Sequence, residues 1–405
     1  MNSYIALLGS NATLSVSELA AVFPNAIMHG IVHGFLRFDD QKVIDQSTLN
    51  TLGGTVLIAR RVTDNSVDLE DVPGLLAEEL KGASGKATFA LRFAGVPTKI
   101  ANDLYKACKN ELKRRGVSSR YIGNATSPAV AVQLHDEGLL DPKKGIELVL
   151  LMNKNDLLIF RTVAAQNVKA YTLRDMKKPV RDTLVGLLPP KLAQLLLNFG
   201  VHLADKTKKN VEKLTVFDPF CGTGVIPMEA MLRRMHVQAS DITDKAVTGC
   251  QKNTEWMRKT FNVPKKECET SVRKHDATKP FVLKPLPDVV VSEGTLGPAI
   301  RGRPLLKDVS EYQKKVDTIM SAFIKNAATT LPGVPMVLTL PVWYAQKKQV
   351  PLEKTWRAIQ ECYLPILPPM TEPAIPGRFS LLYRREDQFV GREIVLLKPK
   401  KQVLS

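Results

Sequence analysis

Four acidic residues stand where strand-like runs end, and glycines follow two of them. The stretch "FDPFCGTGVIPMEA" sets Asp218 at the end of the run "KLTVFD", with Gly222 and Gly224 ahead of the periodic "IPMEAMLRRM". "HVQASD" ends on Asp241, 23 residues after Asp218, and a third run ends in "HDAT", which holds Asp276. "PDVVVSE" ends on Glu293 and spills into the turn "GTLGP". In an open parallel sheet, ligands bind beyond the carboxyl ends of the strands, and glycines there let backbone amides approach the ligand. An acid at the second strand end can accept both hydroxyls of a ribose, and one at the third can accept from an adenine amine. The third glycine of a dinucleotide loop is missing, because Pro227 stands three residues after Gly224, and no G-K-[ST] follows. An acid ahead of the glycines repels a pyrophosphate and suits a ligand with an ammonium end. S-adenosylmethionine meets these demands, with its ammonium toward Asp218, its carboxylate toward loop amides, its ribose at Asp241 and its adenine at Asp276.

The elements that must carry these acids alternate strand with helix from about residue 191 to 405. Such alternation specifies a mostly parallel sheet wrapped by helices, and "FSLLYRREDQFVGREIVLL" adds a C-terminal antiparallel hairpin. Ahead of it, 171–190 reads as a basic, proline-containing linker, and Pro189 and Pro190 introduce the helix "KLAQLLLNFG". Residues 1–84 read as a small α+β domain of strand, helix, strand, strand, with Ser15 and Glu18 at capping-box spacing. Residues 85–170 open with the strand "ATFALRFAG" and the helix "TKIANDLYKACKNELKRRG", then form a hairpin through "NKN". Ile100, Leu104, Cys108 and Leu112 share one face of that helix. Lys106, Lys109, Lys113, Arg114 and Arg115 sit around or beyond it, and Arg120 and Tyr121 continue the basic, aromatic surface.

The chain has 405 residues, more than one hydrophobic core serves, and its formal charge of +17 should attract a polyanion, most simply nucleic acid. No apolar stretch approaches a membrane span and the N-terminus lacks signal-peptide character, so a cytoplasmic protein with no membrane partner is expected. Five cysteines without C-x-x-C spacing and six scattered histidines support neither a disulfide framework nor a metal site. A monomer is expected, and the sequence is silent on an activating protein subunit.

"DPFCGTG" followed by "SDIT" resembles the cofactor motifs of Rossmann-fold methyltransferases, specifically the THUMP-domain tRNA guanine-N2 methyltransferases that act on guanosine 10. "RDMKKPVRDTLVGLLPPKLAQLLLNF" is similar to the segment that leads into the family's catalytic domain. Residues 85–164 resemble its THUMP domain, behind a ferredoxin-like unit. The resemblance implies an α/β, Rossmann-like methyltransferase domain that transfers methyl from S-adenosylmethionine to a guanine amine of tRNA or another structured RNA. The family's catalytic motif is Asp or Asn, two prolines and an aromatic at the end of the fourth strand. That register puts Glu293 at the acid, Gly294 and Thr295 at the prolines and Leu296 at the aromatic that stacks on the flipped base. Arg301 and Arg303 would meet RNA phosphate nearby. Two alternatives stay open: an RNA-binding protein that keeps a methyltransferase scaffold without catalysis, and a methyltransferase acting on DNA adenine or on protein.

Overall fold

The computed structural model describes residues 1–83, 85–182, 188–204, 210–298, 300, 302–346 and 348–400. The chain divides into two compact units, one of Met1–Val16 with Phe23–Tyr171, the other of Ser17–Val22 with the chain from Thr172 onward.

In the first unit, segments 1–84 and 85–170 share one sheet, because the strand Thr55–Arg61 pairs antiparallel with Asp156–Ala165. Eight strands lie in the order Ile27–Val32, Phe35–Asp40, Asn2–Leu8, Thr55–Arg61, Asp156–Ala165, Gly145–Asn153, Ala87–Ala94 and Ser119–Ile122. The edge strand Ile27–Val32 was not legible in the sequence, since it has no buried residue and "IMHGIV" carries a glycine at its centre. Helix Ala12–Val22 begins earlier than the Ser15 and Glu18 spacing predicts. Asn11 is the cap: its Oδ1 accepts from Leu14 N at 3.1 Å, while Ser15 Oγ donates to the Asn11 and Gly54 carbonyls at 2.9 and 2.6 Å. Helix Thr98–Arg114 buries Leu104, Cys108 and Leu112 as its period demands, packing with Phe89, Leu148 and Leu150 of the sheet.

In the second unit seven strands run in the order Thr270–Lys274, His236–Asp241, Thr215–Asp218, Val289–Ser292, Met336–Ala345, Val390–Pro399 and Tyr363–Ile366. The first five are parallel. Val390–Pro399 is antiparallel to both neighbours and also pairs with Leu381–Tyr383, which is the expected hairpin. Val289, Val290 and Val291 are all fully buried, as a strand covered by helices on both faces requires. One cover is helix Leu306–Thr330, which turns Val316, Met320, Phe323 and Ile324 inward. Chain order reverses between Thr215–Asp218 and Val289–Ser292, the switch point at which such sheets open a crevice. Among the described residues, no helix is long and apolar enough to cross a membrane.

Candidate active site

At that switch point lies a cavity of about 540 Å³, and Asp218, Gly222, Asp241, Asp276, Glu293 and Leu296 all line it. Residues from four separate strand ends in the sequence thus meet at one end of the sheet, as their positions predict.

The loop between Thr215–Asp218 and helix Val225–Leu232 is shaped by its glycines. Gly222 and Gly224 have φ of +49° and +87°, a region costly for a residue with a Cβ. A methyl on Gly224 would lie 2.7 Å from Cys250 Sγ, whereas one on Gly222 would meet nothing within 4 Å. Gly222 therefore keeps its face bare toward the cavity, so that its backbone can be approached.

Asp218 is 3% exposed, and its Oδ1 accepts from Ser292 Oγ at 2.6 Å and from Phe220 N at 3.2 Å. Burial pushes its carboxyl up to about 7 against those two donors, and the nearby Asp241 and Glu293 carboxylates push the same way. With no cation paired to it among the described residues, Asp218 has the character of a group awaiting an ammonium ion. The neighbouring Cys221 thiol is pushed up by Cys250 and by burial, so it stays a thiol.

Asp241 ends its strand with both oxygens engaged. Oδ2 accepts from Gly222 N at 3.1 Å, and Oδ1 accepts from the Thr243 amide and hydroxyl at 3.0 and 3.1 Å. Of about four acceptor positions on a carboxylate, one remains on Oδ2, so the expectation that Asp241 takes both ribose hydroxyls holds only if Thr243 Oγ1 yields its place. Asp276 is simpler: Thr278 N and Oγ1 hold Oδ1 at 2.9 and 2.8 Å, which lowers its pKa and leaves Oδ2 for an amine donor. The bare loop glycine, the cation-seeking Asp218 and the remaining oxygens of Asp241 and Asp276 fit S-adenosylmethionine.

Glu293 follows strand Val289–Ser292 directly, its side chain 17% exposed. Arg392 Nε donates to its Oε1 at 2.6 Å, and Thr339 Oγ1 donates to its main-chain carbonyl at 2.7 Å. Burial raises its pKa and Arg392 opposes the rise. The turn beyond it departs from a proline turn in conformation as well as composition, since Gly294 and Gly297 have φ of +71° and +78°. A proline, locked near −65°, could not stand at Gly294. Leu296 lines the cavity where the sequence register puts an aromatic, and Ile319 of helix Leu306–Thr330 also lines it. Arg392, Thr339, Ser292 and Ile319 were not found from sequence, because each lies on a regular element whose pattern gives only burial.

The basic residues separate into two groups. Lys106, Lys109 and Lys113 are exposed, and Lys109 Nζ lies 5.8 Å from the ring centre of the exposed Tyr121. Arg114 and Arg115 both bind Glu111 at 2.7 Å, Arg115 also pairs with Glu78 and Arg120 pairs with Glu137, so their charge is partly spent within the fold. Arg303 is exposed, and Arg301 lies outside the described residues.

No protein-family model matches the chain. A stretch of 129 residues is 31% identical to the tRNA (guanine(10)-N2)-dimethyltransferase of Methanothermobacter thermautotrophicus, covering 31% of this chain and 35% of that protein. The match thus spans about a third of the relative's length. Over 98% of this chain and 100% of the other, the structure superposes on TrmN from Thermus thermophilus with a TM-score of 0.51 and 16% identity. The chain therefore shares with that protein its mixed α/β fold.

Proposed function

We propose that the protein is an S-adenosylmethionine-dependent RNA methyltransferase acting on the exocyclic amine, N2, of a guanosine in tRNA. The convergence of Asp218, Gly222, Asp241 and Asp276 on one cavity carries the reading, and the relative named for tRNA guanine-N2 methylation supports it. Asp218 would receive the ammonium, Asp241 a ribose hydroxyl and Asp276 the adenine amine. Bound there, S-adenosylmethionine supplies an electrophilic methyl group.

What the chain adds is preparation of the acceptor. An exocyclic amine shares its lone pair with the ring, and a carboxylate that accepts one of its hydrogens makes the nitrogen a better nucleophile. Glu293 Oε2 carries no hydrogen bond among the described residues and belongs to a residue that lines the cavity. It is placed to accept that hydrogen and then the proton the amine releases. Leu296 and Ile319 would pack on the face of an extruded base, and Lys106, Lys109, Lys113 and Arg303 would hold phosphates.

The deciding experiment incubates the protein with labelled cofactor and total tRNA, followed by nucleoside analysis. N2-methylguanosine that disappears in Glu293→Gln is the expected result. Absence of cofactor binding by calorimetry, or binding unaffected by Asp241→Ala, refutes the cavity assignment. The altered turn favours one other reading, an RNA-binding protein that binds the cofactor without transferring methyl; methylated tRNA excludes it.

A further inference from the structure

We propose that Arg392 is the positioning residue of the acceptor site, holding Glu293 as an ionised carboxylate with one oxygen aimed at the substrate amine. The inference rests on the methyltransferase reading above, and it concerns a residue far along the chain from every motif of that reading.

Arg392 stands on strand Val390–Pro399, in register with Pro341 on one side and Tyr383 on the other. Its side chain is 6% exposed, and Nε gives its hydrogen to Glu293 Oε1 at 2.6 Å. The contact is end-on, through one nitrogen and one oxygen, and Oε2 carries no hydrogen bond among the described residues. A bidentate contact would have consumed both oxygens. The main chain of the same residue is held separately by Thr339 Oγ1 from strand Met336–Ala345. Two neighbouring strands therefore fix Glu293 at its carbonyl and at its carboxylate.

The turn explains why such anchoring is needed. Gly294 and Gly297 restrict the backbone far less than prolines, and their positive φ values exclude proline in any case. Without outside anchors, a glutamate on this turn, one methylene longer than aspartate, would sample many orientations.

The surroundings also make Arg392 the electrostatic partner. Glu293 acts with like charge on Asp218, which ends strand Thr215–Asp218. Helix Leu306–Thr330 brings Met320 against Gly294 and Val316 against Gly297, and strand Met336–Ala345 brings Thr339, none of them charged. Arg392 is the positive group acting on Glu293 among the described residues. Its removal leaves a buried carboxylate beside another acid, which then takes up a proton more readily.

The test measures single-turnover methyl transfer to tRNA from pH 5.5 to 9.5 for wild type, Arg392→Gln, Arg392→Lys and Thr339→Val, with cofactor affinity by calorimetry. Arg392→Gln should lose at least tenfold in rate at pH 7 and recover part of it above pH 8.5, with cofactor Kd within twofold of wild type. Arg392→Lys, which keeps the charge, should restore the wild-type acid limb at a reduced rate. Thr339→Val should lower the rate without moving the pH profile. A wild-type rate and profile in Arg392→Gln overturns the proposal, and so does an equal loss at every pH that lysine does not rescue. If Arg392→Gln fails to fold, a displaced acid limb in Arg392→Lys overturns it. If wild type binds cofactor but methylates no tRNA, the functional reading fails, and carbon-13 NMR titration of glutamate-labelled protein then decides the pair. A higher Glu293 midpoint in Arg392→Gln than in wild type sustains the pairing, and equal midpoints overturn it.

Discussion

Replacing Asp218 by asparagine tests the electrostatic reading of the cavity directly. The carboxyl titrates near 7 in the folded protein against an ordinary 3.8, chiefly because it is buried. Holding it ionised at pH 8 therefore costs on the order of 4 kcal/mol relative to the unfolded chain. The sign follows from the raised value: between pH 4 and 7 the folded state keeps a proton that the unfolded chain has released. This contribution to stability is full below pH 3.8 and lost as pH rises through 7. Asparagine carries no charge, and its side-chain oxygen can still accept from Ser292 and Phe220. Asp218→Asn should thus be more stable than wild type at pH 8, by up to about 4 kcal/mol, and close to wild type near pH 4.5. Trp256, Trp343 and Trp356 all lie in the unit that holds the cavity, so tryptophan fluorescence in urea isolates its transition. The same variant should lose most of its affinity for S-adenosylmethionine. In wild type, an ammonium that requires the ionised carboxylate should release about half a proton at pH 7, and affinity should fall about tenfold per pH unit well below it. Calorimetry in two buffers of different ionisation enthalpy counts that proton. A stability difference that is the same at pH 4.5 and pH 8, or no proton released at pH 6.5, refutes the reasoning.

The two loop glycines should separate stability from binding. Gly224→Ala, whose methyl meets Cys250 Sγ at 2.7 Å, should cost about 2 kcal/mol or more in urea denaturation. Gly222→Ala should cost about 1 kcal/mol yet weaken cofactor binding at least tenfold, because its methyl enters the cavity. Gly294→Pro, which restores a proline to the turn, should abolish methyl transfer, since φ of +71° is closed to it; an active variant would show that the turn can rearrange. Affinity for tRNA should fall steeply with salt, and each of Lys106→Ala, Lys109→Ala and Lys113→Ala should reduce the log–log slope by about 1, whereas Arg115→Ala, already paired with Glu78 and Glu111, should change it less.

That Asp218, Asp241 and Asp276 line one cavity was legible because they obey a positional rule. Asp218, Asp241 and Asp276 each sit at or just past a strand end, and the alternation of strand-like and helix-like runs places those ends without any structure. The acceptor half was legible only at Glu293. Arg392 lies within "GREIVLL", where a charged residue inside an apolar run reads as an outward-facing strand position. It is 5% exposed instead, with its Nε bonded to Glu293 Oε1 at 2.6 Å. The sheet of the first unit was obscured for a related reason: pairing between Thr55–Arg61 and Asp156–Ala165 spans about a hundred residues, and local pattern carries no record of such contacts.

On the methyltransferase reading, the distribution of charge within the cavity suits the two central carboxyls to different tasks. Burial raises both, yet Glu293 has a guanidinium at 2.6 Å while Asp218 has only a hydroxyl and an amide. A carboxyl with its own cation can stay ionised while substrate comes and goes, as an acceptor of amine hydrogens must. A carboxyl without one is poised to change state when a cation arrives from outside, as a receptor for an ammonium group must.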